Sequence, residues 1–198
     1  MCMRWTRAAS VAVMLVFAGC ATTGPRVAAP VTSLESLANW QANGRIAVAG
    51  AQGGGSGNFE WQQAESASNI VIRGPIGIGS LRVSLNAEHP EHMQLELGDG
   101  RKLQADAAWA ELEAQLGAPV PAANLRYWLL GLPAPSEYQW LEQGERSAVL
   151  LQDGWRIEFL EYTVVNGQRT PSRIKATHGP ARIRMLINRW RLGDEARG

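Results

Sequence analysis

The chain has 198 residues with 19 basic and 18 acidic side chains, 21 glycines, 8 tryptophans and only 2 cysteines. That length suits one domain with a sizeable core, and the near balance of charge argues against nucleic acid as a partner, which would need a basic face. Both cysteines, Cys2 and Cys20, fall in the first twenty residues, so the remainder holds no disulfide and no thiolate chemistry.

Arg4 and Arg7 precede an apolar run from Ala8 to Ala18, followed by Gly19-Cys20. This is the layout of a bacterial secretory signal. The run is about half the roughly 20 residues that a membrane span needs, so residues 1–19 are expected to be cleaved. Phe17-Ala18-Gly19-Cys20 resembles a lipobox, in which Cys20 becomes the lipid-modified first residue; the alternative is an ordinary cut at Ala18 or Gly19. Removing residues 1–19 takes two basic residues and no acidic ones, which leaves a near-neutral domain. Residues 20–31, rich in Ala, Thr, Pro and Gly, read as a tether. Ala21, where an aspartate would signal retention at the inner membrane, points by resemblance to bacterial lipoproteins to the outer membrane.

The domain is expected over residues 32–198. Thr32-x-x-Glu35 has the form of a capping box, with Leu34, Leu37 and Ala38 at helical spacing. From Gly44 the period changes to two, with Ile46 and Val48 on one face. Gly53 to Gly57 reads as a flexible hairpin loop without the lysine and strand-turn-helix setting of a phosphate-binding loop. Phe59 and Trp61, Ile70 and Ile72, Leu81, Val83 and Leu85, and then Met93, Leu95 and Leu97 alternate with polar residues, as in an antiparallel meander with one apolar face. Asp106 is placed to cap a helix carrying Trp109, Leu112 and Leu116 and stopping at Gly117. A second helix carries Leu125, Trp128 and Leu129, ends at Gly131 and is followed by Pro133. Strands return at Tyr138–Leu141, Ala148–Gln152, Trp155 to Phe159, Arg173–Thr177 and Arg182–Trp190, with turns at Asp153-Gly154 and Asn166-Gly167.

This is a mainly β chain of ten or eleven short strands interrupted by a helical pair. So many twisted strands curl, and the apolar concave face must be covered by the helices or left as a hydrophobic cavity. Seven tryptophans outside the signal fit such a lining, and equally fit a filled core.

Between two strand-like runs lies Gly74-Pro75-Ile76-Gly77, followed by Ile78. Proline and glycine suit a tight reversal, yet the tip is apolar where a solvated turn would offer Asn, Asp or Ser. Either the tip folds back onto the core or it is held out for an apolar partner.

Catalytic patterns are missing. There is no G-x-S-x-G, H-E-x-x-H or Walker loop, and Glu111 and Glu113 fall on the polar side of their helix. His89 and His92 form a loop pair beside Pro90 and His178 sits in a turn, so no structural zinc site, cofactor or enzymatic activity is expected.

Asn43-Gly44-Arg45 to Val48, Phe59-x-Trp61-x-Gln63, Gly74-Pro75-Ile76-Gly77, Leu125-x-x-Trp128-Leu129-x-Gly131-x-Pro133, Gly154-Trp155 and Arg182 to Trp190, in this order and spacing, resemble the LolB family across essentially the whole mature chain. The resemblance implies an unclosed antiparallel β-barrel with a helical lid over a hydrophobic cavity. It implies a monomeric outer-membrane lipoprotein that accepts client lipoproteins from the periplasmic carrier LolA and places them in outer-membrane lipid. The acyl chains of the clients would occupy a cavity lined by Phe59, Trp61, Ile70, Ile72, Leu81, Val83, Trp128, Leu129, Trp155 and Ile157. Gly74, Pro75, Ile76, Gly77 and Ile78 would form the family's protruding loop, with Ile76 where the family commonly has leucine, and Cys20 would carry the anchor. LolA-like carriers share the fold but lack anchor and loop. Competing readings are a lipoprotein that stores lipid or scaffolds assembly, and a hydrolase whose carboxylate pair is hidden in the sequence.

Overall fold

The computed structural model describes residues 38–50, 53–74, 79–86, 88–116, 122–144 and 146–196. The expected helix around Leu34, the signal, the tether and residues 75–78 lie outside the described residues.

Alternation of apolar and polar residues produces eleven strands: β1 Asn39–Gly50, β2 Gly53–Ala64, β3 Ala67–Arg73, β4 Ser80–Asn86, β5 Gln94–Leu97, β6 Lys102–Gln104, β7 Tyr138–Gln143, β8 Ala148–Gln152, β9 Trp155–Val165, β10 Gln168–His178 and β11 Ala181–Leu192. They form one antiparallel sheet in the order β6-β5-β4-β3-β2-β1-β11-β10-β9-β8-β7. The chain meanders from β1 out to the β6 edge, passes through α1 (Ala105–Leu116) and α2 (Ala122–Leu129), and meanders back from β7 until β11 pairs with β1. First and last strands thus meet in mid-sheet, and β6 and β7 remain as edges of an unclosed barrel. Asp153-Gly154 and Asn166-Gly167 have positive φ at both residues (50° and 76°; 51° and 74°), the twist-matched turn that Asp-Gly and Asn-Gly favour.

Gly53 to Gly57 are not the expected hairpin loop. They are the first residues of β2, paired with β1 from Gly50↔Gly53 to Ile46↔Gly57. Glycine is needed there because the strands come too close for a side chain: a Cβ on Gly54 would lie 2.3 Å from the Val48 carbonyl oxygen, and one on Gly57 2.4 Å from that of Arg73. Gly44, at the bulge where β1 slips one residue against β11, is tighter still, with a Cβ 1.9 Å from the Leu186 oxygen. Glycines and a bulge together bend the sheet at this point. Gly44→Ala is therefore expected to cost about 1–3 kcal/mol, as overpacking does, whereas Gly55→Ala, with open space around it, should stay within about 0.5 kcal/mol of the parent. Urea midpoints measured on both variants check the contrast.

The helices lie where the pattern put them. Asp106 stands in the first turn of α1 and does not precede it; a carboxylate there complements the helix dipole. α1 buries Ala108, half-buries Trp109 against the core, and keeps Glu111 and Glu113 on its wetter side, Glu111 within 3.6 Å of Arg101. α2 ends in a glycine cap: Gly131, at φ 77°, donates to the Trp128 carbonyl and Leu132 donates to that of Tyr127, the paired bonds that satisfy a helix C-terminus.

Candidate functional site: the concave face and its helical cover

Six of the ten residues expected to line a cavity fall into two cross-strand rows on the inner face. One row reads Phe59, Ile72, Leu81 across β2, β3 and β4, and the other Trp61, Ile70, Val83. Neighbours in such rows have side chains in contact range. The rows continue to Leu97 and Leu95 on β5, and to Gly44 and Ala42 on β1. Trp155 and Ile157 belong to β9 on the other wing of the sheet, and Trp128 and Leu129 reach down from α2. The Trp128 and Trp155 rings lie 6.1 Å apart, which joins cover to sheet.

Burial is not uniform along the strands. Phe59, Trp61, Trp128, Leu129, Trp155 and Ile157 are 2% exposed or less. Ile46, Val48, Ile72 and Leu81, inner-face residues near the β3–β4 turn, are only half-buried. At this end the concave face emerges from under the helices as a mouth of apolar side chains. Beneath α2 there is little open volume: the gap between Leu125, Trp128 and Leu129 and the sheet residues Ile174, Ala176, Ile183 and Met185 holds about 10 Å³, room for about one water and far below the roughly 300 Å³ of a small-ligand pocket. Around that gap Trp128 and Leu129 pack closely on the sheet.

A polar latch holds α2 in place. Gln152, an inward position of β8 that alternation would make apolar, is buried. Its Oε1 accepts from Trp128 Nε1 at 2.8 Å and from the Ala134 backbone N–H at 2.9 Å; its Nε2 donates to the Ala134 carbonyl and to Ser136 Oγ, both at 2.9 Å. Asp153 adds bonds to Asn124 Nδ2 on α2 and to Ser136 Oγ. Both ends of α2 are thus tied to the β8–β9 corner by hydrogen bonds, while its apolar side rests on the sheet. The sequence reading missed this latch; the parity of Ala148, Leu150 and Gln152 was the available signal. It also missed Trp40 and Trp190, whose rings lie 5.5 Å from one another, Trp40 standing equally far from Trp61. These three fill the far end of the barrel.

Of the expected loop, Gly74 is described: its N–H donates to the Gly79 carbonyl at 3.5 Å and closes the base of the turn. Pro75, Ile76, Gly77, Ile78 and Cys20, the expected anchor residue, lie outside the described residues. His89, Glu91 and His92 come together on an exposed turn, their possible ligand atoms within 4.8 Å of one another. Backbone hydrogen bonding, and then His89, hold the Glu91 carboxyl below the usual range, which makes this a solvated ionic cluster on the surface.

The family model described as "Outer membrane lipoprotein LolB" matches residues 38–190. The chain is 33% identical over 189 residues to the outer-membrane lipoprotein LolB of Stutzerimonas stutzeri (strain A1501), covering 89% of this chain and 90% of that protein. To the LolB of Pseudomonas putida (strain F1 among others) it is 32% identical over 191 residues, covering 90% and 92%, and to that of Azoarcus sp. (strain BH72) 30% over 178 residues, covering 89% and 90%. The matched span runs from the start of β1 to Trp190 near the end of β11, so fold, cover and concave face all fall within it, and the chain belongs to the LolB family of outer-membrane lipoproteins.

Proposed function

We propose that this protein receives lipoproteins from the periplasmic carrier LolA, holds their acyl chains against the concave face beneath α2, and releases them into outer-membrane lipid. Residues 1–19 act as the signal, Cys20 carries the lipid anchor, residues 20–31 are the tether, and the domain works as a monomer facing the periplasm. The observation that carries the reading is the apolar mouth of Ile46, Val48, Ile72 and Leu81, which leads under a short helix held by hydrogen bonds as well as by packing. A cover of that kind can lift without dismantling the sheet. An acyl chain exposed to water costs about 0.8 kcal/mol per CH₂, so a chain presented at the mouth has reason to enter as α2 lifts. The step uses no bond chemistry; its direction follows from graded affinity, tighter than the carrier and weaker than the bilayer.

The test is transfer. LolA loaded with a labelled lipoprotein is mixed with the purified protein, and label is expected to move to this chain and then to liposomes. Label that stays on the carrier overturns the reading and favours the lipid-storing or scaffolding alternative.

A further inference from the structure

The outer face of the sheet carries a feature that acyl-chain binding does not use. Cross-strand pairing places Arg173, Leu186, Arg45, Asn58 and Arg73 in one row over five strands, and Lys175, Arg184, Ala47 and Ser56 in the next. The two rows line a groove of about 620 Å³ that ends at Arg73 and Gly74, the root of the β3–β4 turn. Lys175 stands directly opposite Arg184, an arrangement of like charges that costs stability. Glu161 pairs with Arg173, Glu60 with Arg73 and Glu158 with Lys175, but among the described residues no carboxylate meets Arg45 or Arg184. Among the described residues the Arg45 and Arg184 guanidiniums of the groove thus lack a carboxylate partner, in a domain of near-neutral charge. Beside them the side chains of Leu160 and Leu186 are 40% and 37% exposed.

We infer that this groove binds the phosphate headgroups of anionic lipids in the membrane that carries the protein, with Arg45 and Arg184 as the principal contacts. Guanidinium forks match phosphate oxygens two at a time, and leucines between the cations suit the apolar stem just below a headgroup. The groove ends at Arg73 and Gly74, on the same end of the strands as the half-buried Ile46, Val48, Ile72 and Leu81. A tether alone fixes no orientation; a groove held to headgroups fixes one, and it sets the apolar mouth, at the same end of the strands, against the bilayer. The inference rests on the proposal that the domain works at the membrane surface, but its test is read without any transfer step.

Residues 20–198 carrying Cys20→Ala, so that no acyl group contributes, are mixed with vesicles of phosphatidylcholine with or without phosphatidylglycerol, and the bound fraction is measured by flotation. Binding is expected to rise with phosphatidylglycerol and fall with salt, and Arg45→Gln with Arg184→Gln is expected to weaken it about 30-fold with an unchanged melting temperature. Arg82→Gln with Arg146→Gln, which removes the same charge elsewhere on the surface, should weaken it much less. Equal binding to both kinds of vesicle, or equal losses in the two double variants, overturns the inference. So does a groove variant that binds anionic vesicles normally yet no longer accepts lipoprotein from LolA, because the groove would then serve an acidic protein surface. Loss of vesicle binding with transfer intact leaves the proposed function standing and supports the groove.

Discussion

Gln152→Leu is expected to destabilise the protein by about 3–5 kcal/mol and to loosen α2 in particular. Leucine fills a similar volume on the inner face of β8, so little apolar packing is lost. What is lost is the partner of Trp128 Nε1–H and of the Ala134 N–H, and one of the two donors to the Ala134 carbonyl, and Trp128 and Ala134 are each only 2% exposed. A buried polar group left unsatisfied costs about 1–3 kcal/mol, and two are created at once, because the Ala134 carbonyl still accepts from the Ser136 N–H at 2.8 Å. The chain can recover part of that cost only by letting water in, and water enters where α2 and residues 131–136 pull away from β8. Hydrogen exchange should therefore rise in α2 and residues 131–136 before it rises in β1 and β11, where the sheet is held from both sides. Trp128→Phe removes one donor, while Gln152 Oε1 keeps the Ala134 N–H, so a loss nearer 1–2 kcal/mol is expected. If the proposed function is right, Gln152→Leu also takes up a fluorescent acyl probe faster than the parent. A melting temperature close to the parent's would show that Gln152 is not the latch.

The strands were readable because one face of each is buried, and a period of two then writes itself into the residues, as in Leu81, Val83, Leu85 and Ile183, Met185, Ile187. Turn chemistry was equally local: Asp153-Gly154 and Asn166-Gly167 adopt the backbone their residues favour. The glycine run misled because Gly54 and Gly57 are required by what neighbouring strands do, and the closeness of Val48 and Arg73 to that run is a property of the curled sheet. Gln152 was passed over for the same reason. A glutamine at an inward position is a fault until its partners are known, and Trp128 and Ala134 lie 24 and 18 residues away in sequence. The concave face was legible as a set of residues. Its state was not: whether Phe59, Trp61, Trp128 and Trp155 line a space or fill it depends on where α2 sits. The basic groove was illegible because Arg45, Arg73, Arg173 and Arg184 become neighbours only when β1 and β11 meet in mid-sheet.

Ile76→Glu is expected to leave folding intact and to reduce delivery of lipoprotein to liposomes by about ten- to a hundredfold. Ile76 lies outside the described residues, so the expectation rests on its frame. The last paired residues before the turn, Arg73 and Ser80, are both exposed, as is Gly79, and the Gly74 to Gly79 hydrogen bond closes the turn at its base. Pro75 and Gly77 set the backbone whatever side chain stands between them. An exposed tip is the expectation, and replacing an exposed side chain shifts stability by about 0.5 kcal/mol or less. If the tip did fold onto the core, a carboxylate there would cost several kcal/mol and the melting temperature would fall sharply. Burying one isoleucine side chain in lipid is worth about 1.5–3 kcal/mol, the basis of the expected loss at the delivery step, while acceptance from LolA, which uses the concave face, should be unchanged. Measuring acceptance, delivery and melting temperature on one preparation separates the outcomes. A cooperative fold with normal acceptance and slow delivery assigns Ile76 to the membrane step, a collapsed melting temperature assigns it to the core, and normal behaviour in all three removes it from both.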